Sequence, residues 1–145
     1  MLNTKLLGIK RKLKKIELIA LDFDGVLTDG GIYLGNEELS FRRFDSKDGL
    51  GIKLLQSISI KIAIISGSSS NIINKRSENL GISIIKKGES NKAEAILKIQ
   101  DSLNLSREKV LFLGDDVNDL NVIPYVNLFF TPKNAHQACK KQANF

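Results

Sequence analysis

Asp22-Phe23-Asp24-Gly25-Val26-Leu27-Thr28-Asp29 follows directly on the apolar run Ile16-Glu17-Leu18-Ile19-Ala20-Leu21. A run of that kind reads as a buried strand of a parallel sheet. It delivers Asp22 and Asp24 to the strand's carboxyl end, where open α/β sheets place their ligands. Stability alone gives no reason to crowd Asp22, Asp24 and Asp29 there, since like charges repel and desolvation penalises each. A bound cation changes that balance, and hard carboxylate oxygens are what Mg²⁺ prefers. The competing reading, a strand-to-turn junction where Asp merely caps a bend, is weakened by a second acidic cluster far along the chain.

That cluster is Gly114-Asp115-Asp116-Val117-Asn118-Asp119, again directly after an apolar run, Val110-Leu111-Phe112-Leu113. In a parallel sheet both strand ends lie on one edge and can converge on a single metal. Two phosphate-binding candidates lie between them. Ser66-Gly67 ends the strand-like stretch 60–65, and its hydroxyl and following N–H groups can cradle an anion at a helix start. Lys92, in Gly88-Glu89-Ser90-Asn91-Lys92, offers a point charge for a phosphoryl oxygen. A lone lysine is ordinarily a solvated surface residue; its place in this series argues for more.

The ordered set Asp-x-Asp-Gly-Val-x-Thr-Asp, Ser, Lys, Gly-Asp-Asp-x-x-Asp resembles the haloacid dehalogenase (HAD) superfamily of phosphotransferases, over nearly the whole chain. More narrowly it resembles the capless 3-deoxy-D-manno-octulosonate (KDO) 8-phosphate phosphatases. The matching pieces are 22–31, Lys47-Asp48-Gly49-Leu50-Gly51-Ile52, 88–92 and Asn134-Ala135-His136. Nine-carbon acidic-sugar (sialic acid or KDN) 9-phosphate phosphatases, and the phosphatase-like domain of some acylneuraminate cytidylyltransferases, are close relatives.

The resemblance implies a Mg²⁺-dependent phosphomonoesterase acting on KDO 8-phosphate in lipopolysaccharide precursor synthesis. Asp22 is the implied nucleophile, forming an aspartyl-phosphate, and Asp24 the acid and then the base. Mg²⁺ is expected on Asp22, the backbone carbonyl of Asp24, and Asp115. Asp116 and Asp119 are expected one step removed, through water or Lys92; for Asp119 a plain helix first-turn role stays open. Ser66, the Gly67 N–H and Lys92 are expected to hold phosphoryl oxygens. Lys47 and Arg76 are substrate-binding candidates, the latter across a subunit interface. Arg42 and Arg43 rank below them, because hairpin edges often carry charge to deter aggregation.

The chain departs from the pattern in three places. Ser66 stands for the usual Thr, and Ser68 where relatives carry Arg or Glu, so the nine-carbon sugars remain an alternative substrate class. Relatives continue beyond the stretch that ends at Phe145, through a glycine-rich tail. Truncation or a different closure is expected from that, and a sugar-phosphate-binding pseudoenzyme is the non-enzyme alternative; intact Asp22 and Asp24 weigh against it.

The 145 residues, 42% hydrophobic and 26% charged, fit one globular domain over 1–145. One cysteine, Cys139, rules out an internal disulfide framework and suits a reducing compartment. Charges interrupt the start before a signal peptide forms, and no apolar run approaches a membrane span. The cytoplasm is the expected location, with no membrane partner. The net charge of +6 invites a nucleic-acid reading, but nine cations lie in residues 1–16 and 120–145 without one acid. The remainder holds 13 basic residues against 16 acidic ones. With no Trp to stack bases, nucleic acid is not an expected partner.

The stretch 2–15 reads as an amphipathic helix, with Leu2, Leu6, Ile9, Leu13 and Ile16 repeating at helical spacing in a stripe expected to pack on the body. A hairpin follows over 31–45, with its turn at Gly35-Asn36. The expected elements are then helix 47–57, strand 60–65, helix 69–80, strand 82–86, helix 91–103, strand 109–114, helix 117–124, strand 127–130 and helix 134–142. This alternation predicts an α/β, doubly wound parallel sheet. The resemblance adds a strand order with the first strand between the second and fourth. The hairpin is a flap too small to cap a site, and the resemblance implies that a homo-oligomer, a tetramer, supplies the missing wall.

Overall fold

Four apolar runs without polar alternation become the core of one sheet. The computed structural model describes residues 4–36 and 39–145, the side chains of 4–6 excepted. Strands β1 (Leu18–Leu21), β4 (Lys61–Ser66), β5 (Ile84–Lys87), β6 (Val110–Leu113) and β7 (Leu128–Phe130) form a sheet ordered β5-β4-β1-β6-β7. Every pairing is parallel. The first strand of this sheet lies between the second and the fourth, as expected. A separate antiparallel pair, β2 (Tyr33–Leu34) and β3 (Ser40–Phe41), is the flap.

Strand alternation splits the core in two. Ala63 and Ile65 face one side with Leu18, Ala20 and Phe112, covered by Ile96 and Ile99 of α4 (Lys92–Leu103) and Cys139 of α5 (Gln137–Gln142). Ile62 and Ile64 face the other, covered by Ile52 of α2 (Ser46–Ser57) and Ile73 and Leu80 of α3 (Asn71–Leu80). The sheet is therefore doubly wound. Each fully buried Ile or Phe contributes about 1.5–3 kcal/mol, which anchors the strands whose ends carry the polar residues.

Three expectations need correction. Helix α1 covers Thr4–Leu13, and residues 2 and 3 of the expected 2–15 helix lie outside the described residues. Its stripe packs on the body only in part: Leu13 is 40% exposed, Ile9 is half-buried and Ile16 is buried. The cations at 10–12 and 14–15 hold this turn in water. Residues Val117–Tyr125 form a 3₁₀ rather than an α-helix. Asp119 reaches back to bond the preceding loop, and Pro124 has no N–H to give, so the tighter turn wins. The last helix starts at Gln137, because the His136 ring accepts the Ala138 N–H and caps it there.

Candidate active site

Register brings the polar residues together. Leu21 pairs with Ile64 on one side and Leu113 on the other. Asp22 lies one residue past that row, Ser66 and Asp115 two past it, all at the carboxyl edge. They line an open cleft of about 290 Å³ with Asp24, Gly30, Gly67, Ser68, Lys92, Asp116 and Asn118. Lys92 arrives as the first residue of α4, whose N-cap Asn91 accepts the Glu94 N–H.

Lys92 is 2% exposed, and its ammonium sits 2.9 Å from Asp22 Oδ1 and 2.6 Å from Asp119 Oδ1. Burial works against that charge, but Asp22 and Asp119 outweigh it and raise the Lys92 pKa. Asp22 is also raised, by burial first, with Lys92 pulling the other way. Its Oδ1 takes a further bond from the Phe23 N–H at 2.7 Å.

Asp119, fully buried, is spoken for: Oδ1 takes Lys92, and Oδ2 accepts the N–H groups of Asp115 and Asp116 at 2.9 and 3.2 Å. It fixes the acidic loop and holds the lysine. The capping box formed by Asp116 and Asp119 gives the first-turn reading of Asp119 a place beside this one.

Asp115 differs. Its Oδ1 is buried with no hydrogen-bond partner. Burial, then Asp22, Asp119 and Asp116, push its carboxyl up to about 7. Oxygens of Asp22, Asp115 and Asp119 lie within 4.8 Å of one another. The backbone leaves room for this crowding only because residue 25 is glycine. A Cβ there would stand 2.0 Å from Asp115 Oδ2, and φ is +86°. An orphaned oxygen beside a second carboxylate, in a hard-oxygen setting, fits a divalent cation such as Mg²⁺.

The other expected residues divide. Ser66 is 2% exposed, with its Oγ accepting the Ser68 N–H at 3.2 Å. Asp29 leaves the acidic cluster: it bonds the Gly31 N–H and stands 3.7 Å from Arg43. Thr28 takes the inward place instead, accepting the N–H groups of Gly25 and Gly30. Lys47 and Arg76 do not reach the cleft of their own chain. Lys47, the second residue of α2, borders an apolar groove with Val26 and Leu55. The Arg76 guanidinium lies 4.8 Å over the Phe44 ring and donates to the Asp45 carbonyl.

Sequence reasoning ranked one residue too low. Arg42 is directed inward, with Nε 2.7 Å from Asp24 Oδ1 and only 7% of its side chain exposed. Asn118 was also passed over, because both unspecified positions of an acidic motif look alike in sequence.

The comparisons with known proteins agree with this geometry. The model of a family described as haloacid dehalogenase-like hydrolase matches residues 49–145. The 3-deoxy-D-manno-octulosonate 8-phosphate phosphatase KdsC of Escherichia coli (strain K12) is 35% identical over 134 residues, covering 92% of this chain and 71% of the relative. The crystal structure of the Yersinia pestis phosphatase of the same name superposes with a TM-score of 0.89 at 33% identity, over 92% of this chain and 72% of that one. That of the Moraxella catarrhalis phosphatase, in complex with magnesium ion, phosphate ion and KDO, gives 0.90 at 32% identity, over 94% and 78%.

Proposed function

The chain belongs to the haloacid dehalogenase-like hydrolases, and from that premise we propose that it hydrolyses KDO 8-phosphate to KDO and phosphate. One observation carries the reading. Asp22 ends the central strand, held by a buried lysine and facing an acidic loop with an unpartnered oxygen. The relatives named above are phosphatases of this substrate, and one was crystallised with magnesium, phosphate and the sugar.

In the proposed reaction an oxygen of Asp22 attacks phosphorus while the bond to the sugar oxygen breaks, giving an aspartyl-phosphate. Asp24 gives its proton to the departing oxygen. It then takes a proton from the water that attacks the phosphoryl group, which frees Asp22 and inorganic phosphate. Ser66, the Gly67 N–H and Lys92 hold the remaining phosphoryl oxygens. Asp22, Asp115 and the backbone carbonyl of Asp24 are the residues to hold Mg²⁺, which when bound offsets the charge of phosphoryl and carboxylate oxygens. Asp116 and Asp119 support that set, Asp119 through Lys92.

We further propose a homo-oligomer, a tetramer, in which each flap walls a neighbour's cleft. The flap and α2 support it. Tyr33, Leu34, Leu39, Phe41, Leu50 and Leu54 are each more than half exposed, more apolar surface than a lone subunit ordinarily leaves in water. Lys47 and Arg76 are retained as substrate contacts only in such an assembly. Among the described residues no helix is long and apolar enough to cross a membrane. A lone buried Cys139 suits a reducing compartment, and the proposed place of the reaction is the cytoplasm, where the released KDO would supply lipopolysaccharide precursors.

Ser68 lines the cleft with a small neutral side chain that does not separate the two substrate classes, which leaves the nine-carbon acidic sugars as a second reading. Phosphate release with Mg²⁺ is measured from KDO 8-phosphate, sialic acid 9-phosphate, simple sugar phosphates and nucleotides, with Asp22→Asn as the blank. A clear preference for the eight-carbon acid supports the proposal. Preference for the nine-carbon acid replaces the substrate, and no release above the blank ends the enzyme reading.

A further inference from the structure

Arg42 has no part in the chemistry set out above, yet its placement is costly. It directly follows β3, where Phe41 is 59% exposed and the Arg43 side chain 66%. Arg42 alone is turned in, at 7% exposure. Its Nε donates to Asp24 Oδ1 at 2.7 Å and its Nη1 to the Phe41 carbonyl at 3.2 Å. Immobilising a side chain with so many rotamers carries an entropic cost, and removing a guanidinium from water adds to it. Arg43 stays largely in water, where a charge can deter edge pairing; Arg42 is instead bonded to a cleft residue.

Its partner lies in the cleft. Asp24 is 28% exposed and lines the cleft beside Asp22. The flap itself is weakly held, through two paired residues on each strand and one bridge between Thr28 and Phe44. Among the described residues, Arg42–Asp24 is the ion pair that ties the flap to a cleft residue. The Arg43–Asp29 pair, at 3.7 Å and largely in water, is the loose counterpart.

We propose that Arg42 is a positioning residue. It grips Asp24 by Oδ1, so that Oδ2 faces the leaving oxygen, and it makes that presentation depend on a seated flap. This rests on the function proposed above, in which Asp24 moves the proton. Such a donor must come within about 2.6–3.2 Å of the oxygen it serves. A carboxylate free to rotate would spend much of its time elsewhere.

Steady-state kinetics with Mg²⁺ test this on wild type, Arg42→Gln, Arg42→Lys, Asp24→Asn and the Arg42→Gln/Asp24→Asn double variant. Two substrates are used: KDO 8-phosphate, whose leaving alkoxide needs a proton, and p-nitrophenyl phosphate, whose leaving group does not. Arg42→Gln is expected to lower kcat/KM for KDO 8-phosphate on the order of 10²-fold, chiefly through kcat. Arg42→Lys recovers part of that loss, and Arg42→Gln adds nothing further to Asp24→Asn. The kcat/KM loss nearly vanishes with p-nitrophenyl phosphate, because kcat/KM ends at phosphoryl transfer to Asp22 and does not include the later hydrolysis common to both substrates.

Equal kcat/KM losses on the two substrates, or losses that multiply in the double variant, would overturn the assignment and leave Arg42 a structural or substrate contact. An unchanged Arg42→Gln enzyme would overturn it as well. Melting curves accompany each variant; if Arg42→Gln does not stay folded, the substrate ratio is read from Arg42→Lys. Wild type that releases nothing above the Asp22→Asn blank would sink the function itself, a result distinct from the others.

Discussion

Lys92 is where the charges of the cleft are balanced. Removing it strands Asp119, which has no water to turn to, and leaves Asp22 beside other acids. Lys92→Met is therefore expected to cost about 3–5 kcal/mol, read by urea denaturation, and to abolish phosphate release. Gly25→Ala is the reverse case, adding a methyl group against Asp115. It is expected to lose the thermal stabilisation that Mg²⁺ confers on wild type, checked by melting with and without the metal. The acidic residues were legible because Asp22 and Asp115 each follow an apolar run, and a strand end has one obvious destination. Arg42 was not, since a two-residue ladder carries too little alternation to show which way a side chain faces. The Arg76 contact with Phe44 was not legible either, because it depends on how the segment after the flap lies against α3, which no local pattern encodes.

At the scale of elements, the expected and observed strands agree to within about two residues, because β-branched runs bounded by polar residues leave little choice. The segment 117–125 escaped because its geometry is set by Asp119 bonding a loop and by Pro124, not by periodicity. Helix α2 shows how tertiary contacts decide local effects. Nothing lies within 4 Å of a Cβ built at Gly51, whereas one at Gly49 meets Leu80 at 3.3 Å and Arg76 at 3.4 Å. Gly51→Ala is expected to stabilise by about 0.5–1 kcal/mol through helix propensity. Gly49→Ala is expected to show no such gain, because the α2–α3 contact must open to admit the methyl. Urea midpoints of the two variants, side by side, check this.

For the whole molecule, the crowded carboxylates couple folding to pH and to metal. Asp115, ordinarily at 3.8, is pushed up to about 7 by burial and its acidic neighbours, so folding favours its protonated form. That contribution is complete below about pH 4 and is lost as pH rises through about 7. Metal-free protein is expected to melt lower across this window, and Asp115→Asn to flatten the slope. Added Mg²⁺ should raise the melting temperature more above that window than below it. The oligomer predicts that Leu34→Asp, at the 81% exposed tip of the flap, yields monomers by light scattering while keeping the wild-type fold. In the proposed reaction Asp22 carries the phosphoryl group from KDO 8-phosphate to water. The most direct test of that transfer is borohydride trapping during turnover, which reduces an aspartyl-phosphate to homoserine that peptide mass spectrometry can place. Homoserine at position 22, dependent on both substrate and Mg²⁺, is the expected result; turnover that leaves Asp22 unmodified, or modification at Asp115 instead, would contradict the account.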